Sequence, residues 1–145
     1  MRLESPEFEN GGNIPSRFTC DGEGINSELI FSDIPKETRS LVLLMDDPDA
    51  PSGTWDHWVV FNIPPETKGI NENSVPAGIV GKNTRGNNSY GPPCPPDREH
   101  RYFFKLYALD AMLGLDNNAA KQNVLDAMQG HILSESELIG KYNRK

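Results

Sequence analysis

The apolar positions of this chain fall in short stretches that alternate or run unbroken, and only one segment shows helical spacing. In Arg101-Tyr102-Phe103-Phe104-Lys105-Leu106-Tyr107-Ala108-Leu109 the even positions Tyr102, Phe104, Leu106 and Ala108 line one face of a strand. Arg101 and Lys105 mark the other face as partly wet. Leu41 to Met45 and Trp58 to Ile63 are apolar on both faces and read as central strands, with Leu29 to Phe31 as a further one. Turn chemistry separates them: Asn10-Gly11-Gly12-Asn13, Asp21-Gly22-Glu23-Gly24, Pro48 to Gly53, Pro64-Pro65 and Gly86-Asn87-Asn88. Strands at that spacing predict a mainly β chain folded as an antiparallel sandwich or barrel. The helical segment starts at a cap on Asn117 or Asn118, carries Val124, Ala127 and Met128 at helical spacing and stops at Gly130. The tail is ambiguous. Ser134 with Glu137 fits a capping box, while Leu138, Gly140 and Tyr142 alternate as a strand does.

Composition narrows the function classes. A chain of 145 residues without an internal linker fits one domain over residues 1–145. Thirteen glycines and twelve prolines add to the case for turns over a helical bundle. A net charge of −7 repels phosphate backbones, so no nucleic-acid partner is expected. The longest apolar run, Leu41 to Met45, is far short of the roughly 18 residues of a transmembrane helix. Met1 to Pro6 has no apolar leader core, which makes the cytoplasm the default location. Cys20 and Cys94 lack metal-ligand spacing; two inert thiols are the expectation and a disulfide the alternative.

Three clusters carry the candidate chemistry. Asp46-Asp47-Pro48-Asp49-Ala50-Pro51 presents carboxylates on a proline-stiffened turn at a strand end. Trp55-Asp56-His57-Trp58 enters the next strand, and strict alternation puts Trp55 and His57 on one side, Asp56 and Trp58 on the other. Tyr90 to Tyr102 holds Pro92-Pro93-Cys94-Pro95-Pro96, too proline-dense for helix or central strand, followed by His100 and Tyr102 on one side of the strand. Each cluster alone has a structural reading: an Asp-rich turn, a hydrogen-bonded histidine, a polyproline spacer. His131, at the helix end, is expected to be structural.

Together, and in this order, the clusters resemble those of the phosphatidylethanolamine-binding proteins, and more closely their bacterial and archaeal Raf-kinase-inhibitor-like branch. The resemblance runs from Ile14-Pro15-Ser16-Arg17-Phe18-Thr19-Cys20-Asp21-Gly22 through the three clusters to Ala127-Met128-Gln129-Gly130-His131-Ile132-Leu133. It implies an antiparallel β-sandwich with one or two short peripheral helices and makes the tail through Tyr142 a strand. It implies a small pocket for phosphate-like anions lined by Asp47, Pro51, Trp55, His57, Pro95, Pro96, His100 and Tyr102, with Asp49 and Arg101 as a supporting ion pair. Pro48 is a further candidate wall. Eukaryotic members are longer and carry a glycine-rich version of the proline loop, so the partner recognition their additions bring is not expected here.

The residue chemistry fits a non-catalytic binder. Two imidazoles can donate N–H to an anion, and Asp47 beside them would favour their charged forms. That carboxylate suits a protonated oxygen or an ethanolamine ammonium better than a bare dianion. No serine stands on a strand-to-helix nucleophile elbow, and no cofactor is expected. The resemblance leaves two other readings, an inhibitor or scaffold directed at a protease or kinase, and a metalloenzyme built on His57, His100 and an aspartate. It also allows a homodimer.

Overall fold

The computed structural model describes residues 1–144. Its strands are β1 (Arg2–Glu4), β2 (Gly12–Asn13), β3 (Leu29–Ser32), β4 (Ser40–Asp47), β5 (Trp55–Ile63), β6 (Gly69–Ile70), β7 (Ile79–Val80), β8 (His100–Leu109) and β9 (Ile132–Tyr142), with one α-helix, α1 (Lys121–Met128). A six-stranded sheet runs β2-β9-β8-β4-β5-β7, and a three-stranded sheet runs β1-β3-β6. These strands pair antiparallel except for β2, which lies parallel to β9.

The two-sided apolar strands take the centre because both faces of the large sheet are covered. Leu41, Leu43 and Met45 of β4, with Trp58 and Val60 of β5, meet Leu3, Leu29, Phe31 and Ile70 of the small sheet. Val42, Leu44, Val59 and Phe61 point the other way, onto Val124 and Met128 of α1 and onto Leu113. The even positions of β8 are fully buried in the inter-sheet core, as their alternation requires.

The tail is strand along its whole length. β9 pairs with β8 from Ile132 to Tyr142, and Leu138 and Tyr142 join the inter-sheet core. Gly140 has no room for a side chain: a Cβ would lie 2.5 Å from Cγ1 of Ile14. The capping-box reading of Ser134 fails because the helix it needs would bare this apolar edge.

α1 starts later than its sequence suggests. The Asn118 N–H is taken by Asp116 Oδ1 and the Ala119 carbonyl by Lys82 N–H, so this stretch stays extended. Asn123 Oδ1 instead accepts the Ala120 N–H at the helix entrance, 2.9 Å away. His131 lies at the helix end, where its backbone N–H bonds Met128 O and its Nδ1 lies 2.8 Å from Asp110 Oδ1.

Cys20 and Cys94 form a disulfide, which corrects the expectation of two thiols. The loop after the 3₁₀ turn Ser16–Phe18 is docked on the proline loop by Cys20 N–H to Pro93 O, which brings the two Cα atoms to 5.4 Å. Among the described residues no helix is long and apolar enough to cross a membrane.

Candidate functional site

One end of the large sheet gathers the end of β4, the start of β5 and the start of β8 around a cavity of about 500 Å³. Asp47, Pro51, Trp55, His57, Pro96, His100 and Tyr102 all line it. Pro95 does not; it is buried on the other side of its loop, against a second cleft. Pro48 lies on the opposite face with Asp46, Arg101 and Lys105. Pro48 directly follows Asp47, and extended backbone at the end of β4 sends the two to opposite faces. Pro95 is turned into the second cleft, which Pro96 shares with the main cavity.

A bulge places His57. Met45 stands opposite Trp58 and Asp46 opposite Asp56, so His57 is an extra residue in β5. Strict alternation across Trp55-Asp56-His57-Trp58 is therefore broken. Trp58 turns into the inter-sheet core beside His57, while Asp56 stays on the α1 face with Lys121 Nζ at 2.7 Å. The freed His57 carbonyl accepts Gly91 N–H at 2.8 Å, which ties β5 to the start of the proline loop.

The same residue pair fixes the imidazole. His57 Nδ1 lies 2.7 Å from Gly91 O, and a carbonyl can only accept, so Nδ1 carries the proton. Nε2 is then an acceptor in the neutral ring. Burial pushes the His57 pKa below its ordinary value, and the Gly91 carbonyl and Asp47 oppose this only in part. This corrects the expectation that Asp47 keeps the ring charged.

His100 is clamped by two carboxylates. Nδ1 is 2.7 Å from Asp47 Oδ2 and Nε2 is 2.6 Å from Asp97 Oδ1. Asp47 is committed at both oxygens, because Oδ1 accepts Asp49 N–H at 2.8 Å. Its neighbour Asp46 points to the opposite face, between Lys105 and Lys121. Asp49 and Arg101 form the supporting pair: Arg101 donates from Nη2 to Oδ1 at 2.8 Å, and from both Nε and the backbone N–H to Oδ2 at 2.9 Å. Those hydrogen bonds from Arg101 outweigh desolvation and pull the Asp49 pKa down to about 2.

Tyr102 packs edge-on against His57, with ring centroids 5.3 Å apart. Its hydroxyl is buried with no hydrogen-bond partner among the described residues. Sequence reasoning missed Arg85 and Asp97, and it held the disulfide only as the alternative to two thiols. Arg85 lies on the cavity rim in the turn before Gly86, with no ion-pair partner among the described residues. A single arginine in a Gly/Asn turn gives no sequence signal. Asp97 did leave one, its three-residue spacing from His100. The triad that a metalloenzyme would need is not assembled: among the described residues no three His, Cys, Asp or Glu side chains are grouped to hold an ion. The His57 Nδ1 faces a carbonyl, and both nitrogens of His100 face carboxylates.

A concave, proline-lined cavity at one end of a two-sheet scaffold is the kind of place where a small molecule binds. The family model described as phosphatidylethanolamine-binding protein matches residues 4–143, and the chain belongs to that family. A UPF0098 protein of Methanothermobacter thermautotrophicus is 51% identical, with 99% of each chain covered. One from Chlamydia trachomatis is 43% identical at the same coverage. The crystal structure of CT736, a phosphatidylethanolamine-binding protein homologue from Chlamydia trachomatis, superposes with a TM-score of 0.97 at 42% identity, covering 99% of this chain and 97% of that one. Escherichia coli YbcL, described as a member of the mammalian PEBP family, gives 0.91 at 27% identity, covering 99% and 98%.

Proposed function

We propose that the cavity binds a phosphate-like anion or phosphorylated head group of the phosphoethanolamine kind, without converting it. The observation that carries this reading is the Tyr102 hydroxyl, a buried donor with no partner in the wall of a cavity whose rim holds Arg85. Burying a hydroxyl without a hydrogen bond costs roughly 1–3 kcal/mol, a cost that a bound acceptor removes. His57 complements this. Its Nε2 accepts from a protonated phosphoryl oxygen when neutral, or takes up a proton on binding and donates. Donor, acceptor and rim cation together suit a monoanionic phosphoryl group. The acidic Asp47–His100–Asp97 side suits an adjoining ammonium.

A crystal structure grown with phosphoethanolamine tests this. The reading expects phosphoryl density within hydrogen-bond distance of the Tyr102 hydroxyl and His57 Nε2. Density only on the outer surface, with the cavity empty, overturns it.

A further inference from the structure

His100 is 1% exposed, and its two ring nitrogens lie 2.6 and 2.7 Å from carboxylate oxygens. A carboxylate oxygen that close to a ring nitrogen needs a proton between them, so Asp47, His100 and Asp97 share two protons and carry one net negative charge. The two carboxylates are not equivalent. Asp47 is buried and held by Asp49 N–H. Asp97 has a side chain 46% exposed, follows Pro96 directly and faces a second cleft of about 280 Å³. Pro96 lines both that cleft and the main cavity, so Asp97 sits at the partition between them.

Among the described residues nothing else uses the Asp97 carboxylate as strongly: its other hydrogen bond there is accepted from the adjacent Arg98 N–H at 2.9 Å, and the Arg98 side chain is 4.0 Å away. The carboxyl pKa is depressed, chiefly by the His100 hydrogen bond.

We propose that Asp97 sets the ligand selectivity of the cavity as an internal anion. It occupies the Nε2 proton of His100, and its charge holds the triad at net minus one. The native cavity thereby disfavours anions of net charge −2 and accepts phosphoryl compounds of net charge −1 or zero, phosphoethanolamine among them because its ammonium offsets one phosphoryl charge. Without Asp97, His100 Nε2 is free to donate to a bound anion. This deepens the binding reading and rests on it.

Sulfate is the probe for a dianion, because it carries no exchangeable proton near neutral pH, and phosphoethanolamine is the probe for the binding reading itself. Both are titrated into the wild type, Asp97→Ala, Asp97→Asn and Asp21→Asn, following the ring nitrogens of His57 and His100 by NMR. Asp21→Asn removes a carboxylate from the same cleft that touches Tyr142 and Arg144 and not His100. Asp97→Ala is expected to tighten sulfate binding roughly tenfold, the worth of one charge-assisted hydrogen bond, with a direct shift of the His100 Nε2 signal. Asp97→Asn, which keeps an acceptor on Nε2 without the charge, gains less, and Asp21→Asn gains less than about twofold. Asp97→Asn also stands in if Asp97→Ala fails to fold. It must then tighten sulfate more than Asp21→Asn does.

Phosphoethanolamine binding by the wild type with no tightening of sulfate beyond the Asp21→Asn control overturns the role of Asp97 alone. If phosphoethanolamine moves neither ring in any variant, the binding reading falls and this inference falls with it.

Discussion

The His57 Nδ1 and the Gly91 carbonyl oxygen are 2.7 Å apart, and the His57 carbonyl accepts the Gly91 N–H in return. The bulge in β5 and the first residue of the proline loop thus hold each other, and the ring cannot turn without breaking that contact. Whichever nitrogen a ligand meets, it meets Nε2.

The pH dependence follows from burial of this ring. His57 titrates below its ordinary value near 6.5, so between the two values the unfolded chain binds a proton that the folded chain refuses. Stability is therefore fully present above about pH 6.5 and is lost as the pH falls toward the depressed folded value. His57→Gln should flatten that part of a Tm-against-pH curve, and NMR titration of the wild type should put the His57 midpoint below that of a free histidine.

Tyr102→Phe separates stability from binding. Removing a buried hydroxyl that has no partner should leave the unliganded protein as stable as the wild type or more stable by roughly 1 kcal/mol, measured by urea unfolding. Binding of phosphoethanolamine should weaken about tenfold. A clear loss of stability would mean that the hydroxyl already has a partner in the free protein.

Asp49 holds the turn that carries Pro51 into the cavity wall. Because Arg101 keeps its carboxyl pKa at about 2, the pair's contribution is present above pH 4 and disappears as the pH falls from there toward 2. Arg101→Gln should lower the Tm by a few degrees at pH 7, since bidentate geometry is the favourable case for a half-exposed pair, and should matter little near pH 2.

The Cys20–Cys94 bond joins loops 74 positions apart and lines the cavity. The double variant Cys20→Ser, Cys94→Ser should lose about 2–4 kcal/mol of stability, by denaturant unfolding of the oxidised wild type against the variant. Such bonds persist in oxidising compartments and in the cytosol of hyperthermophiles.

The strands with alternation, β8 above all, were legible in the sequence because each residue reports its own face. The two- and three-residue strands β1, β2, β6 and β7 were not, because two residues hold no period; Gly69–Ile70 is a strand only because Leu29 and Ile30 pair with it. The bulge was hidden for a related reason. The pattern Trp55-Asp56-His57-Trp58 alternates perfectly on paper, and only the pairing of Asp46 with Asp56 shows that His57 is the extra residue. Asp47, His57, His100 and Tyr102 were found by their ordered motifs. Pro95 was misplaced because the resemblance carries over the proline-rich loop as a unit and does not say which face of it each proline takes. Arg85 and the partnership of the cysteines depend on how distant loops dock, and spacing along the chain does not encode that.

The most direct test of the central claim is an NMR titration of the native, oxidised protein with phosphoethanolamine at pH 7, reading the ring signals of His57 and the Nε1–H of Trp55. The account predicts that both move together and saturate, with the His57 ring shifting toward its charged form, and that Tyr102→Phe weakens the effect. Saturating ligand that leaves both signals in place would contradict it.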